Sequence, residues 1–155
     1  MTGFTHLDDD GHVHMVEVGE KDATRRRAVA EATVHLSPKT AAAFFGGTLP
    51  KGDALASVRL AGIMAAKRTP DLIPLCHPVA ITGVDIDVQQ VDEGALILGT
   101  VRTTGRTGVE MEAMTAVSVA ALALYDMVKG IERGVEIGSI RLLMKDGGKS
   151  GRWER

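Results

Sequence analysis

Cysteine and histidine stand side by side in Pro70-Asp71-Leu72-Ile73-Pro74-Leu75-Cys76-His77-Pro78, and both side chains can move protons or meet an anion. Histidine is the side chain whose unperturbed pKa lies nearest neutrality. Three prolines in nine residues fix three φ angles and push each preceding residue toward extended conformations. Such a loop loses little entropy on ordering and presents His77 from a nearly predetermined backbone. A proline-braced connection with a packed histidine would read the same way. Cys76 and His77 are not expected to act as nucleophile and base. Neighbours along an extended chain point to opposite faces, and a lone cysteine is ordinarily a buried thiol.

The second candidate is a set of charges bracketing an apolar run. Ala113 to Tyr125 carries no charge, with Glu110 and Glu112 before it and Asp126 and Lys129 after it. As a helix this run is apolar all round, so it should be buried on most sides. Glu112 and Asp126 are fourteen residues apart, roughly 21 Å along a helix axis. One helix cannot bring both to one small substrate. Two copies packed antiparallel about a two-fold axis could, so a site using both would be shared between subunits. Alternatively, the charges merely mark where a buried helix surfaces. Asp126 and Lys129 fall on one helix face. Burial would raise the Asp126 pKa and Lys129 would lower it, and the sequence leaves the net direction open.

Cations cluster at Arg25-Arg26-Arg27, Lys51, Lys67-Arg68, Arg102 with Arg106, and Lys145 with Lys149. Near glycine turns in a mildly acidic chain, such clusters suit a small polyanion such as a nucleotide phosphate chain. Singly, each is an ordinary solvated face. Gly148-Lys149-Ser150 resembles the end of a P-loop, but the glycine required five residues earlier is Leu143. A flexible anion-binding tail fits better. His12 and His14 lack two further ligands for a metal, so no built-in metal site is expected.

These residues need elements to hold them. Ala30, Ala32, Val34 and Leu36 share one face of a strand over 28–36. Ser37 caps a short helix with Pro38 at its first position, and Gly46-Gly47 ends it. A longer helix spans 52–68, with Leu55, Val58, Gly62, Ile63 and Ala66 as its buried stripe, and Pro70 stops it. Val84, Ile86 and Val88 alternate with Asp85, Asp87 and Gln89 in a strand. Asp92-Glu93-Gly94 turns the chain into a second strand over 95–103. A helix over 109–131 and a strand over 135–145 follow. The order is β-α-β-β-α-β: an α+β, ferredoxin-like antiparallel sheet with helices packed on one face. Residues 1–14 read as a mobile arm. Residues 15–155 read as one catalytic domain, with a flexible Gly-rich tail over 146–155. That fold hosts many functions and decides none.

Composition narrows the classes. At 155 residues one domain is expected. Aromatics make up 3% and Ala, Gly and Val dominate, which points to an oligomer whose interfaces supply the missing burial. A net charge of −2 argues against general nucleic-acid binding. One cysteine excludes an internal disulfide. No signal peptide is visible, and the uncharged run is too short to span a bilayer. A cytoplasmic location is expected.

Together these segments resemble the molybdenum-cofactor biosynthesis protein C family, the cyclic pyranopterin monophosphate synthases. The resemblance rests on Thr5-His6, Gly11 with His14-Met15-Val16, Lys51-Gly52-Asp53, and Ala61-Gly62-Ile63 with Ala65-Ala66-Lys67-Arg68-Thr69. It continues through Asp71 to Pro78, Thr107 to Ala113, Tyr125-Asp126-Met127, and Gly147-Gly148-Lys149-Ser150-Gly151. It covers essentially the whole chain, in order. It implies a ferredoxin-like lyase assembled as a homohexamer, a trimer of dimers, with sites at subunit interfaces. It also implies a substrate, 3′,8-cyclo-7,8-dihydroguanosine 5′-triphosphate, converted to cyclic pyranopterin monophosphate with release of pyrophosphate. Carried over by position, Asp126 is the acid/base residue, with Lys51 and Lys129 as essential partners. Leu75, Cys76 and His77 form one substrate-binding segment, and Met111 and Glu112 the other. Arg26, Lys67, Lys145 and Lys149 hold phosphates, and Glu110 positions the base or ring. No cofactor is built in, and a Mg²⁺ ion would suit the pyrophosphate group. The alternative is a non-catalytic oligomeric nucleotide sensor. Composition and charge fit it equally well, but a carboxylate at Asp126 would serve it poorly.

Overall fold

The computed structural model describes residue 7 and residues 10–155. Of the segment read as an arm, residues 1–6, 8 and 9 lie outside the described residues, and Thr5-His6 of the family resemblance lies there too. Leu7 and Val13 form an isolated antiparallel bridge. The elements run β1 (Thr24–His35), α1 (Pro38–Phe45), α2 (Ala54–Ala66), α3 (Thr69–Leu72), β2 (Ile81–Val91), β3 (Gly94–Gly105), α4 (Glu110–Val128), β4 (Glu136–Asp146) and β5 (Trp153–Glu154).

The strands form one sheet in the order β2-β3-β1-β4-β5, with every neighbouring pair antiparallel. The chain is therefore α+β, with a five-stranded antiparallel sheet. Ala28, Ala30, Ala32 and Val34 of β1 are buried, as are Ala95, Ile97 and Val101 of β3 and Ile86 and Val88 of β2. They alternate with more exposed positions, as one covered face requires. The cover is α2 and α4. Small residues set how close it comes: a Cβ at Gly62 of α2 would lie 2.9 Å from Ile86 Cγ1 and 3.1 Å from the Ala116 carbonyl oxygen. One at Gly99 of β3 would lie 2.7 Å from Val117 Cγ1. The abundance of alanine and glycine is thus a packing property of two helices pressed onto a sheet.

Local signals account for the helix ends. Ser37 accepts from the Thr40 N–H at the start of α1, a cap worth about 1 kcal/mol. Asp53 accepts from the Ala56 N–H at the start of α2. Ser37 also donates from its hydroxyl to Glu132 Oε2 at 2.8 Å. That bond ties α1 to the chain leaving α4, and hydrogen bonds from Thr40 and Ser37 hold the Glu132 carboxyl below its usual pKa.

Three expectations need correction. Pro70 does not stop the long helix. α2 ends at Ala66 with Lys67 as its C-cap, and Pro70 sits in the first turn of α3, where its missing N–H is harmless. The buried Thr69 hydroxyl donates to the Ala66 carbonyl at 3.0 Å, satisfying an end of α2. β1 begins at Thr24, so the three arginines lie within the sheet. Finally, the segment after β4 is not all loop: Trp153 and Glu154 pair with Lys145 and Met144 as a fifth strand. Ala113 to Tyr125 is buried on most sides, as expected, with Leu122 at 57% exposure its one outward-facing position. α4 is long and apolar enough to cross a membrane by length and composition alone, yet here it packs beside α2 on the sheet.

Candidate active site

The sequence candidates gather at the two ends of α4. At its C-terminal end stand Lys51, Asp126 and Lys129. Lys51 comes from the turn before α2 and reaches Asp126 because α2 runs antiparallel to α4. Its Nζ lies 3.0 Å from Asp126 Oδ2, and Lys129 Nζ lies 2.6 Å from Oδ1. One carboxylate thus bridges two ammonium groups. The direction the sequence left open is downward: hydrogen bonds from Lys129 and then Lys51 hold Asp126 below the usual aspartate pKa, outweighing desolvation. The same partner pushes Lys129 up.

At the N-terminal end of α4, the 75–77 loop faces Glu110, Met111 and Glu112 across a cavity of about 320 Å³. Three bonds hold the loop. The Cys76 N–H donates to the Ile73 carbonyl at 3.1 Å, closing a turn. Thr103 Oγ1 donates to the Ala80 carbonyl at 2.7 Å. His77 Nε2 lies 2.8 Å from the Val16 carbonyl oxygen. A carbonyl only accepts, so Nε2 carries the proton in this contact. Cys76 and His77 both line this cavity, not opposite faces, because the Ile73–Cys76 turn breaks the extended geometry assumed for them.

Glu112 is buried, at 3% exposure. Burial raises its carboxyl above the usual glutamate pKa; its own backbone N–H offsets part of that, and Glu110 adds a smaller rise. Burial also pushes the Cys76 thiol up, with Glu112 contributing. A thiol so shifted stays protonated near neutrality and is a poor nucleophile.

A second cavity, of about 820 Å³, adjoins the first. Arg26, Arg106 and Lys149 line it, and it shares Lys21 and Thr107 with the smaller one. Arg26 is fixed by donating from Nε to the Gly105 carbonyl at 2.9 Å and from a terminal nitrogen to the Arg106 carbonyl at 3.2 Å. Lys145 Nζ bonds Ser150 Oγ, another residue of the wall. Lys67 caps α2 on the surface and lines neither cavity. Sequence reasoning missed Val16, Val18, Lys21 and Thr24 as wall residues. Lys21 carries no local signal; only the path of 16–22 past the 75–77 loop, where Val16 meets His77, brings it in. Thr24 Oγ1 is buried and has no hydrogen-bond partner among the described residues.

The two ends cannot meet within one chain, since Glu112 and Asp126 lie roughly 21 Å apart along α4. The geometry offers a carboxylate clamped by two ammoniums, a buried carboxyl with a raised pKa lining the same cavity as an imidazole, and a second cavity where Lys21, Arg26, Arg106 and Lys149 outnumber Glu20 and Asp22, wide enough for a chain of phosphates.

The profile of the MoaC family matches residues 15–148. A relative from Pelotomaculum thermopropionicum named cyclic pyranopterin monophosphate synthase is 55% identical over 157 residues, covering all of this chain and 92% of that protein. One of the same name from Roseiflexus castenholzii is 57% identical over 153 residues, 97% of each. Another from Streptomyces avermitilis is 55% identical over 152 residues, 98% of this chain and 89% of that protein.

Proposed function

The chain belongs to the MoaC family and is a lyase of molybdenum-cofactor biosynthesis, a cyclic pyranopterin monophosphate synthase, and we propose how its residues carry that reaction. The substrate is 3′,8-cyclo-7,8-dihydroguanosine 5′-triphosphate. The purine-derived ring is rebuilt into a pyranopterin. The 3′-oxygen then attacks the α-phosphorus, the bond to the β-phosphate oxygen breaks, and pyrophosphate leaves. The observation that carries this reading is the Asp126 carboxylate held between Lys51 and Lys129 at 3.0 and 2.6 Å.

Asp126 is ionised in the free protein and serves as a base. Phosphate oxygens arriving at Lys51 and Lys129 compete for their ammonium groups. Asp126 then loses the bonds that depress its pKa and becomes basic enough to take the 3′-hydroxyl proton. The two lysines stabilise charge that develops on the leaving phosphate. Glu112, whose carboxyl burial pushes above the usual glutamate range, exchanges a proton with the ring, and His77 contacts it from the facing loop. Arg26, Lys145 and Lys149 hold phosphates, while Lys67 acts from a surface outside the two cavities.

The site is completed by a second copy. Leu60 and Met64 of α2 and Leu122 of α4 are exposed apolar residues on the outer helical layer. Pairing α4 antiparallel with its copy sets the Glu112 end of one subunit beside the Asp126 end of the other. This supports the homohexamer built of dimers, and the strand order β2-β3-β1-β4 supports a ferredoxin-like topology extended by β5. Among the described residues no three His, Cys, Asp or Glu side chains gather as a metal cage; a Mg²⁺ ion bound with the pyrophosphate group would supply charge neutralisation there. The enzyme works in the cytoplasm.

Pyrophosphate release from this substrate, wild type beside Asp126→Asn, tests the assignment. Release by the wild type with a folded, silent variant supports it. Tight binding without release by either protein would replace it with the nucleotide sensor.

A further inference from the structure

The loop over 147–152 is held at both ends. At its start, a Cβ on Gly147 would collide with the Arg25 carbonyl, and one on Gly148 with the Arg26 guanidinium. Both glycines hold positive φ, +94° and +73°, a conformation side chains other than glycine's rarely adopt. Within the loop, the Gly151 N–H donates to the Gly148 carbonyl at 3.1 Å, and Lys145 bonds Ser150. At its end, Trp153 and Glu154 pair with Lys145 and Met144. Arg155 then donates from its backbone N–H to the Leu143 carbonyl at 2.9 Å and from Nε to the Leu142 carbonyl at 3.0 Å. Its guanidinium also lies 5.9 Å from the Trp153 ring centroid.

A two-residue edge strand with exposed side chains buries little and adds little to the core. Its geometric effect is on the loop. Without β5, the chain beyond Gly148 would have one anchor, and Lys149 would sample many directions. With it, Lys149 and Ser150 face the cavity that Arg26 and Arg106 line. We propose that β5 and Arg155 form a clasp, with Trp153 and Arg155 as positioning residues that hold Lys149 and Ser150 against the polyphosphate of the substrate. This rests on the assignment of that cavity to phosphates made above.

The test uses the full-length assembly, a variant lacking residues 153–155, Lys149→Met, and the two combined. Inorganic pyrophosphate binding is read by calorimetry. Each change alone should weaken binding about tenfold, the size of one lost charge-assisted hydrogen bond. If the clasp acts through Lys149, the combination should be no weaker than the worse single variant. Additive losses, or wild-type binding by the shortened chain, would overturn the clasp. Amide hydrogen exchange over 147–151 reads it without ligand: faster exchange in the shortened chain is expected, and unchanged exchange would also overturn it. If the wild type bound no pyrophosphate while exchange still accelerated, the phosphate assignment would fall and the clasp would lose its ligand but keep its mechanics.

Discussion

Lys51 reaches Asp126 twice, with Nζ 3.0 Å from Oδ2 and 2.6 Å from the main-chain carbonyl oxygen, across 75 positions of sequence. The contact joins the start of α2 to the end of α4. All three charged side chains at this point are about half exposed, and exposed ion pairs contribute little to stability. Grouping two cations around one carboxylate therefore makes more sense as preparation for a ligand than as a brace. Lys129→Gln separates the two. Melting should stay close to wild type, while kcat/KM for pyrophosphate release should fall by about a hundredfold or more. A large drop in melting temperature with activity retained would show a structural role.

The same variant has a pH signature. Asp126 is held below its ordinary value of 3.8, chiefly by Lys129. A depressed carboxylate is ionised above its folded pKa and is lost as base only when pH falls through it. Removing Lys129 raises that pKa. The acid limb of kcat/KM, which reports the free enzyme, should move to higher pH in Lys129→Gln. A limb that stays in place would belong to another group.

A shared site predicts complementation. Homomers of Glu112→Gln and of Asp126→Asn should both be inactive. In a mixed dimer, one site would carry both changes and the other neither. Random mixing should restore about one quarter of wild-type sites. No recovery after unfolding and refolding the two variants together would place each site within one chain.

Much of this scaffold was legible because its signals are local. Ser37-Pro38 and Gly46 set the ends of α1, and alternation in 84–89 gave the buried face of β2. Lys51, Asp126 and Lys129 were named one by one, but their meeting depends on α2 lying antiparallel to α4, which no short window of sequence encodes. Lys21 enters the site through tertiary placement alone. β5 has two residues, too few for any period. Pro70 misled because a proline reads as a stop after one helix and equally as the first turn of the next.

Close packing of α2 on α4 should be sensitive at Gly62. A Cβ there would lie 2.9 Å from Ile86 Cγ1 and 3.1 Å from the Ala116 carbonyl oxygen. The side chain can give way, but the backbone oxygen cannot. Gly62→Ala gains helix propensity, roughly 1 kcal/mol, and loses about 1–3 kcal/mol to overpacking. Gly62→Val has the larger clash without the same gain and should be clearly destabilised in urea unfolding. Wild-type stability in Gly62→Val would show that the two helices have room to part.

Glu112 gives the opposite pH signature to Asp126. Its folded-state pKa is raised above the ordinary 4.5, first by burial. In the window between those two values the native state binds more protons than the unfolded state, so stability falls as pH rises through it. Below the ordinary value, the protonated carboxyl and a glutamine amide in the same place cost about the same. Above the raised value, the wild type carries the full penalty of a buried charge and the amide carries none. The melting temperature of Glu112→Gln should therefore exceed that of the wild type near pH 8, and the difference should shrink toward zero near pH 4. Turnover should fall in the same variant, because an amide cannot exchange a proton with the ring. A variant less stable than wild type at neutral pH would mean that Glu112 is ionised and held by a cation in the assembled enzyme. The partner subunit's Lys51 or Lys129 would then be the first place to look, since antiparallel pairing of α4 brings that end across.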